Sequence, residues 1–154
     1  MEVRKIGPEH ARALGRLEAK IYPPKFCLGW QDFESDMTEA EARNGNLSFG
    51  IFKGSEIVGY TVAYIEDGEI YVSDLAILPN HRADRNLAAL LAAFFQAAAE
   101  FRLPIKAECR ECSYRVCINH PRFFRKFGYA LTEHGPSTFW NGEPNWEVRF
   151  DYVG

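Results

Sequence analysis

The chain has 154 residues, 47% of them hydrophobic, enough for one compact domain that buries a continuous core without disulfide or metal staples. Its formal net charge is −3 and it carries no long block of Lys or Arg, which excludes the electrostatic footprint of a duplex nucleic-acid or anionic-membrane binder. The longest apolar run, "LAALLAAFFQAAA", is broken by Gln96 and too short to span a bilayer, so a soluble, cytoplasmic protein is expected, with a small molecule or another protein as partner.

Residues 8 to 21 place Ala11, Leu14, Leu17 and Ile21 at helical spacing behind Pro8, a residue suited to a first turn. "YPPKFCLG" follows as a loop, and a second helix is expected over about Trp30 to Ala42, with Trp30, Phe33 and Met37 on one side. "LSFGIFK", a Gly-Ser turn and "EIVGYTVAYIE" predict a hairpin, and "GEIYVSDLAIL" after Asp67-Gly68 predicts a third strand of the meander. The stretch from about Arg85 to Phe101 is apolar nearly all round and predicts a helix buried against a sheet. Pro104 opens "PIKAECR", and strand, helix, strand at this length is a crossover unit, so strands 69 to 78 and 104 to 109 should be parallel. A helical stretch over about 113 to 127, bent or restarted at Pro121, should end at Gly128. "YALTEH" and "STFWNGEPNWEVRFDYV" close the chain as strands, so its start is poor in β-structure.

Cys109, Cys112, Cys117 and His120 have the spacing C-x2-C-x4-C-x2-H, which matches a compact zinc site. Their flanks read as a strand and a helix rather than as the loops of a zinc module, which favours buried, reduced thiols. No metal is therefore expected.

The turn "PNHRADRNL" joins an apolar strand to the long helix, the usual setting for a phosphate site, yet it contains none of the glycines that let backbone N–H groups approach an anion. The order of elements, together with "IYPP", "DLAILPNHR", "IKAECRE" and "RFFRKFGY", resembles the GNAT superfamily of N-acetyltransferases over essentially the whole chain. "LAILPxxR" is the most informative of the four. The resemblance implies a single domain, 1–154, of α/β (α+β) class. Its central sheet would be mixed and mostly antiparallel, with a splayed parallel pair and helices on both faces. It also implies acetyl-CoA as co-substrate and an amine of a small molecule or a protein as acceptor, with pairing of two copies left open.

In that family, backbone groups of the strand holding Leu75, Ala76 and Ile77 pair with the pantetheine arm, and the diphosphate sits on the turn. The implied cofactor-binding set is those three residues with Arg82, Ala83, Asp84, Arg85, Asn86, Leu87 and Phe124. The family pattern Q/R-x-x-G-x-G/A falls on Arg82 to Leu87, so Arg85 and Leu87 replace the two small residues. Either Arg82, Arg85 and His81 bind phosphate by charge-assisted bonds, with Asn86 capping the helix, or the site is weakened. Two arginines at one turn favour the first reading.

Acetyl transfer to an amine needs a base for the amine, a polarised carbonyl and a proton donor for the thiolate. Alternation puts Tyr71 and Ser73 on the face of Leu75, where they could order a water, with Asp74 turned away unless a bulge resets the register. Asp74 is the only carboxylate between 70 and 78, since the family's usual Glu is missing. Phe124 stands where the family often has a tyrosine, which leaves Tyr114 and Tyr129 as nearby phenols, Tyr114 being the expected acid. Cys112 or Cys117 as an acyl-carrying nucleophile is the weaker alternative. Tyr22, Phe26, Trp30, Phe139, Trp140 and Trp146 are expected to wall the acceptor pocket. The rival functions are a non-catalytic or CoA-sensing module of the same fold, and an acyltransferase that takes its acyl group from acyl carrier protein.

Overall fold

The computed structural model describes all residues, Met1–Gly154. A single seven-stranded sheet forms the middle of the molecule, in the order β1-β2-β3-β4-β5-β7-β6. Its strands are β1 (Glu2–Lys5), β2 (Phe49–Lys53), β3 (Glu56–Glu66), β4 (Glu69–Ile77), β5 (Ile105–Cys109), β6 (Tyr129–Thr138) and β7 (Pro144–Tyr152). All neighbouring pairs are antiparallel except β4 and β5, the pair joined by the crossover helix. The helices are α1 (Ala11–Ile21), α2 (Trp30–Ala42), α3 (Asp84–Ala99), α4 (Glu111–Asn119) and α5 (Pro121–Arg125).

Two apolar clusters fix which helices take which face. Leu14 and Leu17 of α1 and Phe33 and Met37 of α2 pack on Tyr60, Val62 and Ala76. On the other face, Leu90, Phe94, Phe95 and Ala98 of α3 join Phe124, Tyr129, Val148 and Phe150. Phe95 lies at the centre of that second cluster, with the rings of Phe94, Phe124, Tyr129 and Phe150 all within 5.5 Å of it, centroid to centroid. Emptying such a position costs about 3 to 5 kcal/mol.

Three local features of the fold outside the site depart from the sequence reading. The chain does not begin poor in β-structure, because Glu2–Lys5 pairs with β2 as an edge strand. Its single apolar residue, Val3, leaves too little pattern to reveal it. At the other sheet edge, β6 continues through Gly135 and Pro136 to Thr138, and Phe139–Glu143 forms the hairpin tip; a proline that donates nothing is tolerated on an edge strand. Finally, Asn86 does not cap α3. Ala83 holds the cap position, while Asn86 is buried in the first turn and donates from Nδ2 to the His81 carbonyl at 2.8 Å.

Candidate active site

The sheet opens where β4 meets β5. Parallel pairing runs only over Ile70–Ile105, Tyr71–Lys106 and Val72–Ala107. Beyond it, β4 bulges at Ser73: Val72 pairs with Ala63 and Asp74 with Val62, leaving Ser73 as the extra residue, its hydroxyl donating to the Val62 carbonyl at 3.3 Å. The extra residue resets the alternation. Asp74 and Ala76 therefore share the face of Tyr71 towards α1 and α2, while Leu75 and Ile77 turn to the α3 side. The expected grouping of Tyr71 and Ser73 with Leu75 is thus corrected, and Asp74 moves to the face it was expected to avoid.

The bulge buries Asp74. Its Oδ2 accepts the Tyr60 hydroxyl at 2.7 Å, and Oδ1 accepts the Leu75 N–H at 2.9 Å. Glu18 of α1 lies beside it, 1% exposed, with its two oxygens accepting the N–H groups of Leu28 and Gly29 at 3.0 and 3.1 Å. Burial, and then the Glu18 carboxyl, raise the Asp74 carboxyl well above the ordinary range, outweighing the two donors that favour its charged form. Glu18 in turn fixes the loop that leads into α2. Gly29, at the helix start, has φ 91°, a conformation that a side chain would strain. Gly15 lets α2 approach α1, since a Cβ there would stand 2.9 Å from the Cβ of Trp30.

That loop reaches the opened strand edge. Pro23 disfavours helix at Tyr22, whose backbone turns extended at the end of α1. The Tyr22 hydroxyl donates to the Leu75 carbonyl at 2.8 Å. Burial, and then Asp74, push the Tyr22 phenol up, so it stays a donor at neutral pH. One step along the strand, Arg82 donates from Nε to the Ile77 carbonyl at 2.8 Å. Two carbonyls that β5 would otherwise cover are thus covered by side chains. At the start of α3, the N–H groups of Asp84 and Arg85 have no backbone partner, and both side chains are exposed. Leu87 packs into the core.

Comparison with known proteins decides the family. The model of the "Acetyltransferase (GNAT) family" matches residues 13–129. The chain belongs to the GNAT acetyltransferase family. No curated protein matches it by sequence. Among solved structures, it is similar to the ribosomal-protein-S18-alanine N-acetyltransferase of Escherichia coli, with a TM-score of 0.72 and 13% identity over 99% of this chain and 94% of that one. The loading GNATL domain of CurA from Lyngbya majuscula gives a TM-score of 0.69 at 15% identity, over 98% of this chain and 97% of that one. Naa50 of Arabidopsis thaliana, in complex with a bisubstrate analogue CoA-Ac-MVNAL, gives 0.61 at 14%, over 96% of each chain. At such identities these likenesses establish the GNAT fold.

Within this GNAT frame, the residues singled out in the sequence divide. Tyr114 is buried on α4 with its ring stacked on Trp146, centroids 4.5 Å apart, and its hydroxyl 2.6 Å from Nδ1 of His134 on β6. Tyr22, Phe26 and Phe139 do gather: Phe26 lies 5.4 Å from Phe139, and the Arg110 guanidinium stands 4.1 Å from the Phe26 ring. Trp30 does not join them. It packs against Gly15 and under the Arg12 guanidinium, on the outside of the helix pair. Trp140 is 72% exposed at the hairpin tip and walls nothing. Phe124, counted among the cofactor-binding residues, is 1% exposed among Phe95, Phe123 and Phe150, so it offers no face to a ligand. Tyr129 is buried too and donates to the Leu103 carbonyl at 2.8 Å.

Cys109 and Cys117 pack against the core, where burial pushes both thiols up to about 12, while Cys112 is exposed. Thiols so protonated are poor nucleophiles. No three His, Cys, Asp or Glu side chains converge as a metal-binding group. No helix is long and apolar enough to cross a membrane.

Two functional candidates escaped the sequence reading. Glu18 is one, and its signal was a carboxylate four residues after Leu14 on the buried stripe of α1. The other is the acidic lining of a groove of about 330 Å³ on the face of Tyr71, where Glu66, Glu69, Glu108, Glu133 and Glu147 surround Lys106 and Arg149. Burial and then Glu147 raise the Glu108 carboxyl there.

Proposed function

We propose that the chain is an acetyl-CoA-dependent N-acetyltransferase that moves the acetyl group to a primary amine of a small molecule or a protein by direct attack. The observation that carries this reading is the opened β4–β5 edge with a carboxyl of raised proton affinity, Asp74, on its bulge. Acetyl-CoA would supply an activated acyl thioester. The backbone of Leu75 and Ile77 would hold its amide-bearing arm, and the N–H groups of Asp84 and Arg85, with the exposed Arg82 and Arg85 side chains, would hold its phosphates. Tyr22 and Arg82 must first release the two carbonyls they cover. Asp74, Tyr71 and Ser73 are the groups at the bulge. Asp74 takes the amine's proton, because a base works best when its proton affinity lies near the working pH. Tyr114 is the proton donor for the departing thiolate, and His134, on the solvent side of its hydroxyl, restores that proton.

Calorimetry with acetyl-CoA and CoA tests the reading. Binding is expected, and Arg82→Ala with Arg85→Ala should weaken it by about 1.5 to 3 kcal/mol for each charged contact removed. A double variant that binds as tightly as the parent would remove the phosphate assignment. The glycine-free turn favours a second reading, in which the acyl group arrives on acyl carrier protein, a donor without the adenosine diphosphate of CoA, and the covered carbonyls favour a module that binds without catalysis. Calorimetry with an acyl carrier protein that binds where CoA does not would establish the first of these.

A further inference from the structure

Three buried side-chain polar atoms in the chain lack any hydrogen-bond partner, and they belong to two residues: Nη1 of Arg110 and both amide atoms of Asn145. The register that pairs Cys109 with Trp146 makes Arg110, the extended residue between β5 and α4, and Asn145 of β7 the next residues along the two segments. Cys109 and Trp146 pack towards the core, so alternation sends Arg110 and Asn145 to the opposite face, the one that carries Asp74. Arg110 reaches Phe26 and Tyr22 there, 4.1 and 5.8 Å from their ring centroids. The turn Pro24–Phe26 is held over this end of the sheet by the Asn141 amide on the Lys25 carbonyl at 2.7 Å and the Lys25–Glu143 ion pair at 3.1 Å. Asn145 is 3% exposed, and Arg110 takes part in no ion pair.

An unpaired buried polar group costs about 1 to 3 kcal/mol, and more when charged. Burying three such atoms is therefore costly unless a bound molecule completes them. Their chemistry specifies that ligand. A guanidinium N–H and an amide N–H provide two donors and one positive charge without a counter-ion, which suits a carboxylate. The Asn145 Oδ1 remains as an acceptor for an N–H on the same molecule. A compound with an amine next to a carboxylate satisfies all three.

We propose that Arg110 and Asn145 form a carboxylate subsite beside the acyl-transfer centre, and that the acceptor amine belongs to a small aminocarboxylate. This inference rests on the acetyltransferase reading. It deepens that reading by naming the substrate class.

The test follows CoA release from acetyl-CoA with each standard L-amino acid, its α-carboxamide and its decarboxylated amine. At least one amino acid should exceed both of its neutralised partners about tenfold or more in kcat/KM, mainly through KM. Arg110→Lys and Asn145→Asp, both near in size to the originals, should each bring that ratio to within about threefold of unity by spoiling the two-donor geometry. Unfolding curves for the two variants accompany the assay. Amides and amines that react as fast as the acids, failure of every amino acid to react, or a preference that survives in both variants overturns the subsite. If either variant fails to fold, the ratio in the parent and the other variant decides. Calorimetry of the parent chain with CoA alone separates the two ideas. A chain that binds CoA but shows no carboxylate preference keeps the donor site and loses the subsite, whereas one that binds no CoA loses the acetyltransferase reading and the subsite with it.

Discussion

The two halves of β4 hold their backbone in different ways. From Ile70 to Val72 the strand lies between β3 and β5, and each side is satisfied by a neighbouring strand. From Asp74 to Ile77 the β3 side continues, but β5 has moved away, and the Leu75 and Ile77 carbonyls are met by a tyrosine from the α1–α2 loop and an arginine from the next turn. Buried carbonyls need partners in both halves. A paired strand cannot be exchanged for a ligand without taking the sheet apart. A phenol and a guanidinium on flexible side chains can swing away, so the backbone of the second half can be uncovered while the sheet stays whole.

Asp74 stands at the junction of the two halves, and its replacement should have the largest effect on chemistry. Asp74→Asn keeps one oxygen as acceptor for the Leu75 N–H and turns its NH2 group to the Tyr60 hydroxyl oxygen, but it cannot take a proton. Turnover on any accepted amine should fall by about a hundred- to ten-thousandfold with CoA affinity little changed. The same variant should gain stability, with a definite sign. The folded protein holds the Asp74 proton more tightly than an unfolded chain does, so this group's contribution is complete below the ordinary value of 3.8 and is lost as pH rises through the raised value. Asparagine escapes that loss. The melting temperature of Asp74→Asn relative to the parent should therefore rise from about pH 4 and level off near pH 8, and a difference that is flat with pH would show that Asp74 ionises without strain.

The α4 side of the opening should respond less. Tyr114→Phe keeps the stack on Trp146 and loses the bond to His134, and turnover should drop about a hundredfold if the phenol is the acid. A fully active Tyr114→Phe would leave water as the proton source. Phe124→Tyr, which would restore the family's phenol, should not raise the rate. Phe124 lies in an aromatic cluster, and an unpaired hydroxyl there should instead destabilise the fold by about 1 to 3 kcal/mol in denaturant unfolding.

How far the sequence disclosed this arrangement follows the same division. Where the backbone is paired regularly, apolar period and turn residues sufficed: α1, α2, α3, the meander and the parallel crossover lie where their patterns put them. The bulge was not legible, because one inserted residue leaves the pattern of "YVSDLAI" ambiguous, and it decided which face Asp74 takes. Tyr22 was expected as a wall of the acceptor pocket and not as the partner of Leu75, since the direction of a loop side chain depends on packing that no local pattern encodes. Trp30 and Trp140 show the converse. Aromatic residues at either end of the loop and hairpin mark those segments as special, yet one packs on α1 and the other faces solvent. Arg110 and Asn145 could be paired only once the β5–β7 register was known.

The smallest expected effect tests the exchange itself. Tyr22→Phe retains the ring beside Arg110 and removes only the hydroxyl that covers the Leu75 carbonyl. A ligand that takes that carbonyl must break this bond in the parent chain and need not in the variant. The bond contributes about 0.5 to 1.5 kcal/mol net, so CoA should bind Tyr22→Phe up to about tenfold more tightly by calorimetry. The free variant should lose a similar amount of stability, because its carbonyl is left uncovered until ligand arrives. The two changes are linked: what the free protein loses, the complex no longer has to break. If Tyr22→Phe instead binds CoA more weakly, the hydroxyl makes a contact in the complex that it does not make in the free chain, and Tyr22 belongs to the binding surface rather than to its cover.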